Sequence, residues 1–122
     1  MSRYFMGVEV DVGACRGVLV DEEGGCAASC SVPLLSFSAQ KGPNVQDAER
    51  AWWGGLCAVT RRLLQLADAA PEEVAALGCS AADPSLAALD DEGRPLGRAL
   101  LGEAAAQSSA ERTGRPRPRL QK

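Results

Sequence analysis

The 122-residue chain is long enough for one domain around a single core, and its formal charge of −3 is unevenly spread. Residues 1–110 carry 8 basic and 15 acidic side chains, whereas residues 111–122 carry 5 basic and 1 acidic. An acidic body disfavours nucleic acid as a partner, the absence of histidine removes Ser-His-Asp and Cys-His catalysis, and no apolar run approaches the ~20 residues that cross a bilayer.

The first elements are strands. Tyr4 to Asp21, YFMGVEVDVGACRGVLVD, holds two alternating apolar runs around a small-residue turn at Gly13 and Ala14, which predicts a β-hairpin. Alternation puts Phe5, Gly7, Glu9 and Asp11 on one face and Tyr4, Met6, Val8 and Val10 on the other, so two carboxylates share a face beside a glycine turn. That pairing is compatible with metal and phosphate chemistry and equally with a solvated surface. Asp21 to Gly25 is a turn signal, and Cys26 to Leu35 follows as a third antiparallel strand, closing near Pro33.

Five cysteines stand at 15, 26, 30, 57 and 79, with no Cys-x-x-Cys pair and no leader pattern at the N-terminus. This usage suits a reducing, cytoplasmic setting. Cys26 and Cys30 are expected on one strand face as core packing, since a zinc site wants four ligands and histidine is missing.

Phe37 to Gln46 reads as a loop through Gly42-Pro43-Asn44, leading to Asp47 as the N-cap of a helix with Glu49 in its first turn. Trp52, Leu56, Val59, Leu63 and Leu66 recur at spacings of four and three and form one apolar stripe facing the sheet. Gly54 and Gly55 each cost about 1 kcal/mol relative to alanine unless close helix-to-sheet approach compensates. The Trp pair is assigned to core and rim, not to a sugar-stacking platform. Pro71 stops the helix; Val74 to Cys79 is a strand, Leu86 to Leu89 a shorter one, and Asp90 to Gly93 a turn. The order βββα then β allows several α/β or α+β arrangements. Residues 109–122, with Arg115-Pro-Arg-Pro-Arg119, have little to bury and are expected to form a disordered basic tail, with a docking role open to it.

The hairpin resembles the first phosphate hairpin of the FGGY carbohydrate kinases, Gly-Val-Asp-Val-Gly-Thr-Gly-Ser-x-Arg-Ala followed by an apolar strand ending in Asp. Gly7, Val8, Val10, Gly13, Arg16 and Asp21 agree, while Glu9 stands for Asp, Asp11 for Gly, Val12 for Thr and Ala14 for Ser. Trp52 to Leu64 is similar to the family's first helix. Gly78 to Asp90 is similar to the D-ribulokinase-like pattern Gly-Phe-Asp-Ala-Thr-Cys-Ser-Leu-Val-x-Leu-Asp at Ser85, Leu86, Leu89 and Asp90, with Asp83 and Pro84 replacing Thr-Cys. The xylulokinase pattern Gly-x-Ser-Gly-Gln-x-His-Gly-Leu matches Ser80 without a gap, but its Gln and His are missing.

The resemblance implies a ribonuclease-H-like α/β fold, a mixed sheet with packed helices, in which residues 1–108 form an incomplete first domain of a longer, two-domain kinase. It implies ATP and Mg²⁺ as cofactors and a sugar as substrate. Glu9 would help hold Mg²⁺ through water, Gly13, Ala14 and Arg16 would approach phosphates in a degenerate way, and Asp83, Ser85 and Glu103 would face the sugar. The family's catalytic base and nucleotide pocket come from beyond this stretch, so no catalytic residue is assigned and the chain alone is expected to be inactive. The alternative is a non-catalytic module that binds a protein through exposed sheet surface or its basic tail.

Overall fold

A computed structural model of the chain describes residues 2–11, 13–34, 45–81 and 85–101. The expected hairpin is present as β1 (Tyr4–Val10) and β2 (Ala14–Asp21), antiparallel, with Glu9 opposite Arg16 and Met6 opposite Leu19. Met6 and Val8 are buried while Phe5 and Glu9 are exposed, as the alternation requires. Asp21 closes the next turn: its Oδ1 accepts from the backbone N–H groups of Glu23 and Gly25 at 3.1 and 2.7 Å, and Gly24 takes the left-handed φ of +85° that glycine tolerates.

β3 (Cys26–Pro33) completes the meander. Its register slips where Leu19 pairs with Ala28 but Val20 pairs with Cys26, so one residue is looped out. This bulge corrects the expectation for the two cysteines. Cys30 packs under the helix with its Sγ 3.7 Å from the Val59 carbonyl, whereas Cys26 is exposed.

After β4 (Val45–Gln46), Asp47 caps the helical segment as its sequence position predicts, its Oδ1 accepting the Arg50 N–H at 3.1 Å. Ala48–Trp53 winds as a π-helical stretch and continues into α1 (Gly54–Ala67), which ends at a left-handed Asp68 with φ 50°. The buried stripe is Ala48, Ala51, Gly55, Val59 and Leu63. Val59 and Leu63 lie on it as expected and half-buried Leu56 packs against the core, but Trp52 is half-buried outside it and Leu66 is 48% exposed, while Leu64 and Ala67 also pack against the core in the last turns.

The reason is the closeness of helix and sheet. A Cβ on Gly17 of β2 would lie 2.4 Å from Val59 Cγ1 and 2.8 Å from Leu63 Cδ1, and one on Gly55 would lie 2.8 Å from Leu34 Cδ2 and 3.2 Å from Cys15 Cβ. Two glycines, one on each element, thus admit the helix to the strands, and only small residues fit its first turns. The resulting core comprises Met6, Val8, Cys15, Leu19, Ala28, Leu34, Val59 and Leu63.

Past the helix, Pro71–Glu73 makes a 3₁₀ turn and β5 (Val74–Ala81) runs parallel to β1, giving a mixed sheet in the order β3-β2-β1-β5. This is the α/β architecture expected, with α1 in the connection between the meander and the parallel strand. β6 (Ser85–Leu86) and β7 (Ala99–Leu101) join β4 in a second, antiparallel sheet of order β4-β7-β6. The expected strand Leu86–Leu89 is therefore shorter, with Leu89 forming an isolated bridge to Pro95 across the Asp90–Gly93 turn. Of the expected loop Phe37 to Gln46, Val45 and Gln46 form β4 instead, and the remainder, like the tail 109–122, lies outside the described residues.

Candidate functional site

The hairpin turn gathers charge on one side of the sheet. Arg16, directly across from Glu9, holds Nη1 3.6 Å from Glu9 Oε1 and 3.6 Å from Asp11 Oδ2. These are half-exposed pairs, each worth at most about 1 kcal/mol, so they orient the guanidinium more than they stabilise the fold. The Asp11 N–H donates to the Ala14 carbonyl at 2.9 Å, closing the turn, and the Leu34 N–H donates to the Gly13 carbonyl at 3.0 Å. A side chain on Gly13 would meet nothing within 4 Å, so that backbone faces open space. On the other flank of β1, Ser80 of β5 stands opposite Glu9.

Beside the turn lies a cleft of ≈ 860 Å³ between the start of the helix, the ends of β1 and β5, and the segment from β6 to Pro95. Asp11 and Ser85 both line it, which brings a hairpin residue and a predicted sugar-facing residue to one cavity. Asp83 and Glu103, the other two sugar-facing candidates, and Val12 of the turn lie outside the described residues. Glu9 and Arg16 line a separate, shallower hollow of ≈ 520 Å³ floored by Gly7, Gly17 and Gly78.

The cleft also contains residues the sequence reading placed elsewhere. Trp52 and Trp53 both line it, with Trp53 63% exposed, and Glu49 and Arg94 add opposite charges to its lining. Neighbouring residues in a helix point about 100° apart, so both indoles cannot face the sheet, and the tight approach at Ala51 and Gly55 leaves room for neither. An adjacent Trp pair beside two glycines was the available signal for an aromatic wall.

Arg94 is held by the turn before it: its backbone N–H donates to Asp90 Oδ1 at 2.8 Å, its Nε to Asp90 Oδ2 at 3.2 Å, and its Nη2 to Glu92. The N–H of Arg94, followed by that of Glu92 and the guanidinium, holds the Asp90 carboxyl below its ordinary range. Burial pushes the Cys15 thiol up, with smaller contributions from Cys79 and Cys30, and burial likewise raises Cys30. Neither thiol is poised as a nucleophile. Among the described residues no group of three or more His, Cys, Asp or Glu side chains is placed to hold a metal, and no helix is long and apolar enough to cross a membrane.

The fold is shared with solved structures of carbohydrate kinases. The structure superposes on that of a gluconate kinase from Lactobacillus acidophilus with a TM-score of 0.70 at 22% identity, over 93% of this chain and 23% of that one. Residues 5–113 match the N-terminal domain of the FGGY family of carbohydrate kinases, and the chain belongs to that family. It is 33% identical over 95 residues to the human FGGY carbohydrate kinase domain-containing protein, covering 78% of this chain and 16% of that protein. It is 32% identical over 101 residues to the L-xylulose/3-keto-L-gulonate kinase of Escherichia coli strain K12, covering 83% of this chain and 20% of that enzyme. The chain thus spans about a fifth of the length of these relatives or less.

Proposed function

We propose that this chain supplies the sugar-facing part of an ATP-dependent carbohydrate kinase, that the sugar is a ketopentose with D-ribulose the first choice, and that the chain alone transfers no phosphoryl group. The observation that carries this reading is the convergence of Asp11, Ser85 and the tryptophans on one cleft beside the hairpin turn. The D-ribulose choice rests on the pattern at Ser85, Leu86, Leu89 and Asp90. The printed names of the relatives span both neutral ketoses and sugar acids, so the comparisons support a sugar substrate without fixing its charge.

Magnesium-bound ATP would supply the γ-phosphoryl group and neutralise its charge in transfer. The turn as built does not fit that group. Arg16 is shared by two carboxylates, the Asp11 N–H is engaged by Ala14, Ala14 has no hydroxyl, and the Asp11 carboxylate repels an approaching phosphate. Glu9, the candidate for holding magnesium through water, is engaged by the same arginine. What this chain's residues offer is positioning of the sugar.

A coupled assay for ADP release with D-ribulose, xylulose and glycerol tests the reading. No turnover above a protein-free control is expected; turnover that disappears in Glu9→Ala would show the chain to be catalytic. A second reading, docking on a protein partner, is favoured by β5, an uncharged strand whose residues Ala75 to Ala81 are all exposed. It requires that lysines at Ala76 and Ser80 abolish any association of the chain, and persistence of association in that variant would exclude this strand as the docking site.

A further inference from the structure

Resting on the reading of the cleft as a sugar site, we infer that it selects by charge: it takes a neutral polyhydroxylated sugar against the Trp53 indole and turns away sugar acids. Three observations carry this. Trp53 leaves a large aromatic surface in water at the cleft lining, 63% exposed, beside a half-buried Trp52. The C–H face of a sugar ring or chain covers such an indole, which recovers apolar burial without removing hydroxyls from polar contact.

The charged residues lining the cleft are two acids, Asp11 and Glu49, and one base, Arg94. Sugar hydroxyls donate to carboxylates such as these in charge-assisted hydrogen bonds. A carboxylate on the ligand has nothing to donate and adds like charge. An adenine-like ring, which needs donors as well as acceptors along its edge, is a poorer match.

The cationic groups that would rescue an anion are already committed. Arg94, the one basic residue lining the cleft among the described residues, is held by Asp90 through Nε at 3.2 Å and by Glu92 through Nη2. Arg16, beside Asp11, is shared with Glu9 at 3.6 Å to each. The cleft lining thus carries two carboxylates, Asp11 and Glu49, against one guanidinium, Arg94, that Asp90 and Glu92 already hold. An incoming sugar acid meets excess negative charge inside a concave wall, where repulsion is less screened than on open surface.

The test uses the full 122-residue chain and needs no ATP. The two indole N–H signals are followed by NMR during titration with D-ribulose, L-xylulose and gluconate at matched ionic strength. The ketoses are expected to move the Trp53 signal, and gluconate to bind about tenfold or more weakly, a gap of ~1.4 kcal/mol. Asp11→Asn with Glu49→Gln should close that gap by improving gluconate binding. Trp53→Ala should weaken ketose binding about tenfold, with Trp53→Tyr recovering part of it. Trp53 is not a core residue, so circular dichroism of these variants should match the parent.

Gluconate binding as tightly as the ketoses, undiminished ketose affinity in Trp53→Ala, or no response of either indole to any sugar would each overturn the inference. The kinase reading is judged separately, by phosphoryl transfer in a chimera of residues 1–108, its turn restored by Asp11→Gly, Val12→Thr and Ala14→Ser, with the remainder of a related kinase. That chimera can phosphorylate a ketopentose even if the charge selectivity is absent.

Discussion

The sheet has two unlike flanks. Under α1, β1, β2 and β3 bury Met6, Val8, Cys15, Leu19 and Ala28 and meet the helix at glycine contacts that admit no further atom. On the other flank β5 runs parallel to β1 yet is exposed from Ala75 to Ala81, and Leu77 keeps 48% of its surface in water. Parallel strands are ordinarily covered on both faces, and their sequences read as continuous small and apolar runs, as VAALGCSA does. Close packing and open surface are thus segregated in this chain. The packed flank fixes the geometry of β1, and the open flank carries the cleft.

The largest expected effect breaks the packed flank. Leu63→Ala removes a fully buried side chain and should destabilise by about 2–5 kcal/mol in urea denaturation, whereas Leu77→Ala on the open flank should stay within about 0.5 kcal/mol. Equal losses would mean that β5 is covered in solution. Next come the glycines. Gly17→Ala should cost about 1–3 kcal/mol because its Cβ overlaps Val59 and Leu63, whereas Gly54→Ala, whose Cβ meets only the Glu49 carbonyl at 3.6 Å, should stabilise by about 0.5–1 kcal/mol.

Thiol chemistry sharpens the same contrast. Exposed Cys79 on β5 should be alkylated rapidly in the native protein, and buried Cys15, its thiol raised by burial, only as the packed flank opens. Mass spectrometry of partly modified protein reads the order, and early loss of Cys15 would contradict it. The smallest effect concerns Asp90. Its folded pKa is depressed, so it favours the turn above the ordinary carboxylate value, and that contribution fades as pH falls through the lowered folded value. Amide exchange at Gly93 and Arg94, corrected for its intrinsic pH dependence, should rise in that acid window and in Asp90→Ala at neutral pH.

Much of the packed flank was legible in the sequence because its signals are local. Strict alternation sets the hairpin, Asp47 with the following apolar period sets the helix start, and Asp21 and Asp90 with glycines set the turns. The bulge that exposes Cys26 was not legible, since looping out one residue leaves no mark in a run of small side chains. The π-helical start and the stripe of Ala48, Ala51 and Gly55 were hidden for a related reason. They are dictated by how close the helix sits to β2, a tertiary distance that apolar periodicity ranks below large residues such as Trp52 and Leu66. The strands β4 and β7 are short and find partners distant in sequence. Of the site, Glu9, Gly13, Ala14, Arg16 and Ser85 were picked out by family pattern. Trp53, Glu49 and Arg94 converge only in three dimensions.

On the proposed reading, the open flank keeps a sugar cleft while the turn at its edge, with Asp11 held by Arg16, is closed to nucleotide phosphates. Calorimetry of Mg-ATP binding tests it most directly, in a chimera joining residues 1–108 to the remainder of a related kinase. Two forms are compared, the unsubstituted chimera and one carrying Asp11→Gly, Val12→Thr and Ala14→Ser, the changes that restore the family pattern at the turn. Clearly tighter binding is expected in the substituted form, since a repulsion is removed and two hydroxyl donors are gained, each charge-assisted bond contributing about 1.5–3 kcal/mol. Equal affinities in two well-folded chimeras would contradict it and place the turn away from the phosphates.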